Sequence, residues 1–100
     1  MGEFLSRNLD DPEANPYFLW SETMTVAELR AILAGEEGPD EQLVYMARIL
    51  REARYQDVWK FLTPQQVAAN WDGLQRRLGR MRGFWNFLLT GWRQHGLLSG

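Results

Sequence analysis

The sequence has no cysteine and a single histidine, His95. It therefore offers no disulfide scaffold, no thiolate zinc site and no thiol nucleophile, and any imidazole proton relay has one candidate. No apolar run approaches the roughly 18 residues of a spanning helix. The densest stretch, Phe84 to Trp92, is interrupted by Asn86, Thr90 and Gly91. The first residues lack a basic segment followed by an apolar one, so no secretory signal is expected. Together with the missing cysteines, this predicts a cytoplasmic protein that does not contact membrane. Phosphate-cradling glycine loops are missing, because Gly79, Gly83 and Gly91 fit neither common fingerprint. Glu36, Glu37, Asp40 and Glu41 cluster without the alternating acid spacing of a calcium loop. No catalytic residue, metal site or cofactor is expected, and the reading is that of a non-enzyme.

Aromatic residues are abundant, at 13% of the chain with five tryptophans. A chain of 100 residues suffices for one domain. The net charge of −2 hides an asymmetry. Residues 1–42 hold ten acids against Arg7 and Arg30, net −8, whereas residues 43–100 hold three acids against nine bases, net +6. Such a split predicts either pairing of the two halves with each other or a basic surface turned toward an anionic partner.

Residues 1–24 read as an irregular, extended N-terminal arm. Asn8 to Pro16 has turn chemistry, and Pro16 to Trp20 is apolar but too short for a helix of its own. The helical domain is expected over 25–98. Thr25-Val26-Ala27-Glu28 is a capping box that opens a helix of about 26–34, with Gly35 as its stop. Pro39 opens a second helix, running to about Arg54. Its stripe is Leu43, Met46, Ala47, Leu50 and Ala53, and Val44, Tyr45 and Ile49 add a second apolar face. A short helix follows over about 55–62. Thr63-Pro64-Gln65-Gln66 caps another, which places Val67, Trp71, Leu74 and Leu78 on one face before Gly79. The last, about 81–95, presents Phe84, Trp85, Leu88, Leu89 and Trp92 together, with Phe87 beside them. No strand signal appears. The predicted fold is all-α, a single small bundle of about five short helices with an extended arm.

Two groups of residues suggest function. Tyr17, Phe18 and Trp20 on the arm, with Trp59, Trp71, Trp85, Trp92, Phe61, Phe84 and Phe87 on the helices, are more large rings than a core of this size readily hides, and such rings dominate protein interfaces. Tyr17, Phe18, Trp20, Trp59, Trp85 and Trp92 are the candidate partner-binding residues, and for the arm, Tyr17 to Trp20, a strap over the protein's own helices is the open alternative. Arg76, Arg77, Arg80 and Arg82 crowd the turn at Gly79 and suit phosphate, which makes them candidate nucleic-acid contacts. A helix-turn-helix frame over Gln65 to Leu88 fits poorly, because it puts Asp72, Gly79 and Arg82 at core positions.

Two stretches carry a family likeness: Leu50-Arg51-Glu52-Ala53-Arg54-Tyr55-Gln56-Asp57-Val58-Trp59-Lys60-Phe61-Leu62-Thr63-Pro64-Gln65-Gln66-Val67 and Leu78-Gly79-Arg80-Met81-Arg82-Gly83-Phe84-Trp85-Asn86-Phe87-Leu88-Leu89. Over residues 17–98 the chain resembles small helical proteins encoded beside bacterial nucleotidyltransferase-like toxins of the AbiEii type. The resemblance implies a bacterial antitoxin-like partner of a toxin–antitoxin pair, and no catalytic residue carries over with it. Steric masking is the expected mechanism. The arm and a Trp-bearing groove, with Arg80 and Arg82 at its rim, would cover the toxin's active site. On this view Trp20→Ala, or removal of 1–24, weakens the complex without unfolding the helices. The alternatives are a nucleic-acid-binding regulator using the arginine cluster, and a self-associating module whose rings meet across a two-fold axis as a homodimer.

Overall fold

Thr25 and Thr63 open two of the helices just as their spacing predicts. In a computed structural model describing residues 5–96, Thr25 Oγ1 accepts from the Glu28 N–H at 3.1 Å and Glu28 Oε1 accepts from the Thr25 N–H at 2.8 Å. Thr63 and Gln66 repeat the exchange at 3.1 and 2.8 Å. The first four residues of the expected arm, and residues 97 and 98 of the expected helical domain, lie outside the described residues.

The described residues form six α-helices: α1 (Val26–Leu33), α2 (Pro39–Glu52), α3 (Tyr55–Val58), α4 (Pro64–Ala69), α5 (Trp71–Leu74) and α6 (Arg82–Gln94). Two 3₁₀ turns, Gln75–Arg77 and Gly79–Met81, join α5 to α6. Gly35 ends α1 as expected. At φ 91° it lets its own N–H reach the Ile32 carbonyl and the Glu36 N–H reach the Ala31 carbonyl, a Schellman closure. None of the described helices is long and apolar enough to cross a membrane.

The structure departs from the predicted all-α pattern in three places. The helix expected from Thr63 to Gly79 is broken at Asn70, whose φ of −108° and ψ of 13° leave the helical region. There the Asn70 side chain donates to the Gln66 carbonyl at 2.8 Å, the local competition that makes Asn a helix ender. The break turns Gly73 against α2, where an added Cβ would lie 2.9 Å from Leu43 Cδ1. Secondly, β1 (Leu5–Ser6) and β2 (Asn15–Pro16) pair as a minimal parallel ladder. A two-residue ladder has no periodicity to read.

The third departure concerns the arm. Leu9, Phe18 and Leu19 are fully buried in the same core as Leu29 of α1, Met46, Ile49 and Leu50 of α2, Val58 of α3, Val67 of α4, and Trp85 and Leu89 of α6. The loop between the two strands also serves α1 directly. Its Ala14 and Pro12 carbonyls accept from the Val26 and Ala27 N–H groups at 2.8 and 3.0 Å, satisfying first-turn donors that have no partner within a helix. Residues 5–24 are thus part of the packed unit. This packing argues against the expectation that removing 1–24 would spare the helices, because the deletion strips three core side chains and two helix caps.

Candidate functional site

Asp57 anchors the arm from beneath. It is the one buried charged residue among those described, at 6% exposure. The Tyr17 hydroxyl donates to Asp57 Oδ2 at 2.6 Å and accepts from the Arg54 N–H at 2.7 Å. Arg54 Nε sits 3.7 Å from the same carboxylate. Burial pushes the Tyr17 phenol above its usual pKa, with the Asp57 hydrogen bond acting in the same direction. Tyr17 therefore docks the arm on the α2–α3 junction, and Phe18 stacks edge-on against Phe61 inside the core, 5.7 Å between ring centroids. Of the three arm rings predicted to bind a partner, Phe18 is buried, Tyr17 is half-buried with its hydroxyl engaged, and Trp20 is open, with 64% of its surface exposed.

Trp85 is a second correction. It is 1% exposed, and its indole N–H donates to the Leu50 carbonyl at 2.9 Å, so it ties α6 to α2 and cannot meet a partner. It is instead the floor of a ring cluster. Tyr55 stacks on Trp85 at 6.0 Å, while Trp59 and Phe84 meet Trp85 edge-on at 5.8 and 5.1 Å. Trp59 also meets Trp92 at 5.7 Å. Trp59 and Trp92 are half-buried, whereas Tyr55, Phe84 and Phe87 are exposed, Phe87 at 75%. The result is an aromatic ridge across α3 and α6. Sequence reasoning missed Tyr55, and it counted Phe84 and Phe87 among the surplus rings without naming either as a contact. The signal for Phe87 was its position off the main α6 stripe, where a phenylalanine has no core to enter.

The arginines stay on the surface and do not share the lining of one groove. Arg76, Arg77, Arg80 and Arg82 are all exposed. Arg82 Nη2 donates to Gln75 Oε1 at 2.9 Å, while the Arg77 carbonyl accepts from Arg51 Nη1 at 2.8 Å. Arg77 lines an open groove of about 390 Å³ with Glu22, Val44, Tyr45, Arg48 and Arg51, and the other three arginines lie outside that lining. Among the described residues only Lys60–Asp10, at 3.8 Å, joins the basic half to the acidic half, since the other ion pairs, Arg51–Glu52 and Arg54–Asp57, lie within residues 43–100. The charge asymmetry is therefore not consumed by internal pairing. A helix-turn-helix use of this region also meets an obstacle of length: α5 has four residues, and the outer side of α6 shows Phe84 and Phe87 rather than polar readers.

No group of three or more metal-ligating side chains occurs among the described residues. His95 caps α6 in solvent. The Tyr45 hydroxyl donates to Glu22 Oε1, and that hydrogen bond, with burial adding to it, pushes the phenol up to about 12. Such an arrangement holds a proton rather than releasing one near neutrality. Comparison of the chain with protein families, with curated proteins and with solved structures finds no match.

Proposed function

We propose that the chain is a cytoplasmic, non-enzymatic interaction module that binds a protein partner through the aromatic ridge of α3 and α6. The observation that carries this reading is the pair of exposed rings Tyr55 and Phe84, continuous with half-buried Trp59 and Trp92 over the floor of Trp85, with exposed Phe87 three positions after Phe84 on α6. Large rings held in place by their neighbours lose little side-chain freedom on docking, and adjoining exposed rings on one face are the usual mark of an interface. Arg80 and Arg82, just before Phe84 in sequence, have no acidic partner among the described residues. The partner's chemistry follows as an apolar depression bordered by carboxylates.

The resemblance to proteins encoded beside AbiEii-type nucleotidyltransferases makes such a toxin the first partner to test, with the ridge laid over its active-site opening as an antitoxin would lie. Masking then falls to the α6 face and not to a detachable arm. The test is titration calorimetry of the wild-type chain and of Phe84→Ala/Phe87→Ala against a purified nucleotidyltransferase of the AbiEii type. The wild type should bind at fixed stoichiometry, and the double variant should lose about 30-fold or more in affinity while keeping its fold. Equal binding by both chains sinks the ridge as the contact surface. A wild type that binds no protein partner but sediments as a dimer replaces this reading with self-association.

A further inference from the structure

A different surface carries a second inference, independent of the ridge. The groove between α2 and the Gln75–Arg77 turn gathers three guanidinium groups, Arg48, Arg51 and Arg77, with Tyr45 and Val44 as walls. Its volume of about 390 Å³ falls within the range of small-ligand sites. Two of the three arginines are held in position. Arg48 Nε donates to the Phe18 carbonyl at 3.2 Å and its Nη2 to Ser21 Oγ at 2.7 Å. Arg51 is fixed by the Arg77 carbonyl at 2.8 Å. Each keeps further N–H groups for a ligand.

Charge selects the ligand class. Three cations and one acid, Glu22, line the groove; that carboxylate already accepts from Tyr45, and Arg51 also lies 3.9 Å from Glu52, outside the lining. Like charges three positions apart on a helix, as Arg48 and Arg51 are, repel in the free protein, and an anion between them removes that cost. The positive excess of the lining, which Glu52 beside Arg51 offsets only from outside the groove, suits an anion such as a phosphate monoester, which carries about −1.5 to −2 at neutral pH. Beside the groove, the Trp20 ring lies under the Arg48 guanidinium at 5.3 Å and is otherwise 64% exposed. Trp20 does not line the groove and Arg48 covers one of its faces, so the platform it offers beside the cationic cluster is the opposite face. A planar heterocycle stacks on such a ring, as bases do on exposed aromatics.

We propose that this groove binds a nucleoside monophosphate, the phosphate taken by Arg48, Arg51 and Arg77 and the base stacked on Trp20. The phosphate belongs either to a free nucleotide or to the 5′-phosphorylated end of a strand. The test follows tryptophan fluorescence at constant ionic strength. The probes are adenosine 5′-monophosphate, ribose 5-phosphate, adenosine and a 5′-phosphorylated single-stranded decamer. Adenosine 5′-monophosphate should bind more tightly than ribose 5-phosphate, and adenosine should not bind measurably. Arg77→Gln should weaken the nucleotide about tenfold or more, the loss expected for a charge-assisted contact. That variant keeps the backbone carbonyl that holds Arg51, so it should fold. Trp20→Ala, followed by calorimetry because it removes a reporter, should bring the nucleotide down to the level of ribose 5-phosphate. Affinity should drop several-fold between pH 7.5 and pH 5, as the monoester gains its second proton near pH 6. Preference for the decamer over the mononucleotide assigns the site to strand ends, and the reverse assigns it to free nucleotide. The proposal is overturned if millimolar nucleotide leaves the signal unchanged, if adenosine binds as well as its phosphate, or if Arg77→Gln binds as the wild type does. It also falls if a glutamate-rich peptide binds more tightly than the nucleotide. None of these outcomes touches the ridge, which Phe84→Ala/Phe87→Ala tests separately.

Discussion

Replacing Tyr17 by Phe tests whether the arm is locked to the helices. The ring contacts survive, including the edge-on approach to Phe18 at 5.3 Å, so the change removes a hydroxyl and little else. That hydroxyl is the donor to Asp57 at 2.6 Å and the acceptor for the Arg54 N–H at 2.7 Å. A hydrogen bond to a buried charge is worth about 1.5–3 kcal/mol. Arg54 Nε, at 3.7 Å, still faces the Asp57 carboxylate, which keeps the loss below that of a fully unpaired buried ion. About 2 kcal/mol is expected, which for a domain of this size lowers Tm by roughly 8–16 °C. Circular dichroism on heating, with urea unfolding in parallel, measures it. The urea midpoint should fall at unchanged slope, because the native surface is unchanged. Tyr17→Phe and Asp57→Asn should couple by about 1 kcal/mol or more in a double-mutant cycle. A stability change under about 0.5 kcal/mol, within the range of ordinary surface substitutions, refutes the claim that this network docks the arm.

Trp85→Ala should cost about 3–5 kcal/mol in urea unfolding, since it opens a core cavity and orphans the Leu50 carbonyl, whereas Phe87→Ser should stay within about 0.5 kcal/mol. Similar losses for the two would show that ridge and floor are not distinct. Gly38→Ala should cost about 1–3 kcal/mol, because φ 99° with ψ 164° is open essentially to glycine alone; thermal melts settle it, and an unchanged Tm speaks against that backbone geometry. The raised Tyr45 pKa has a definite sign. Between the unfolded value near 10 and the folded value of about 12, the native state holds a proton that the unfolded state has lost. The stabilisation is complete below pH 10 and fades as pH climbs toward 12. A tyrosinate absorbance titration should show a late component that Tyr45→Phe abolishes, and its persistence in that variant would reassign it.

Helix ends and core stripes were legible in the sequence, because both depend on neighbours within a turn or two. Thr25, Thr63, Pro39, Pro64 and Gly35 act through groups at most four residues away, and the chain order alone places those groups. The buried faces of α1 and α2 follow from periodicity in the same way. The composition also made plain that no thiol or multi-histidine chemistry is available, and that charge is split between the halves.

Whatever depends on long-range contact was decided by the tertiary structure. Asp57 reads as a surface acid until Tyr17, forty positions earlier, covers it. Trp85 and Phe87 are two positions apart on one helix, yet one is the floor of the core and the other stands in solvent. Sequence assigned Trp85 to binding because an aromatic excess says nothing about which ring finds room inside. The groove of Arg48, Arg51 and Arg77 was invisible for the same reason, since Arg77 joins α2 only when the chain doubles back after α5. Local patterns fix where helices begin, end and turn their apolar sides. Which side chains are left at the surface is settled by the competition for one small core volume, and that competition involves the whole chain at once.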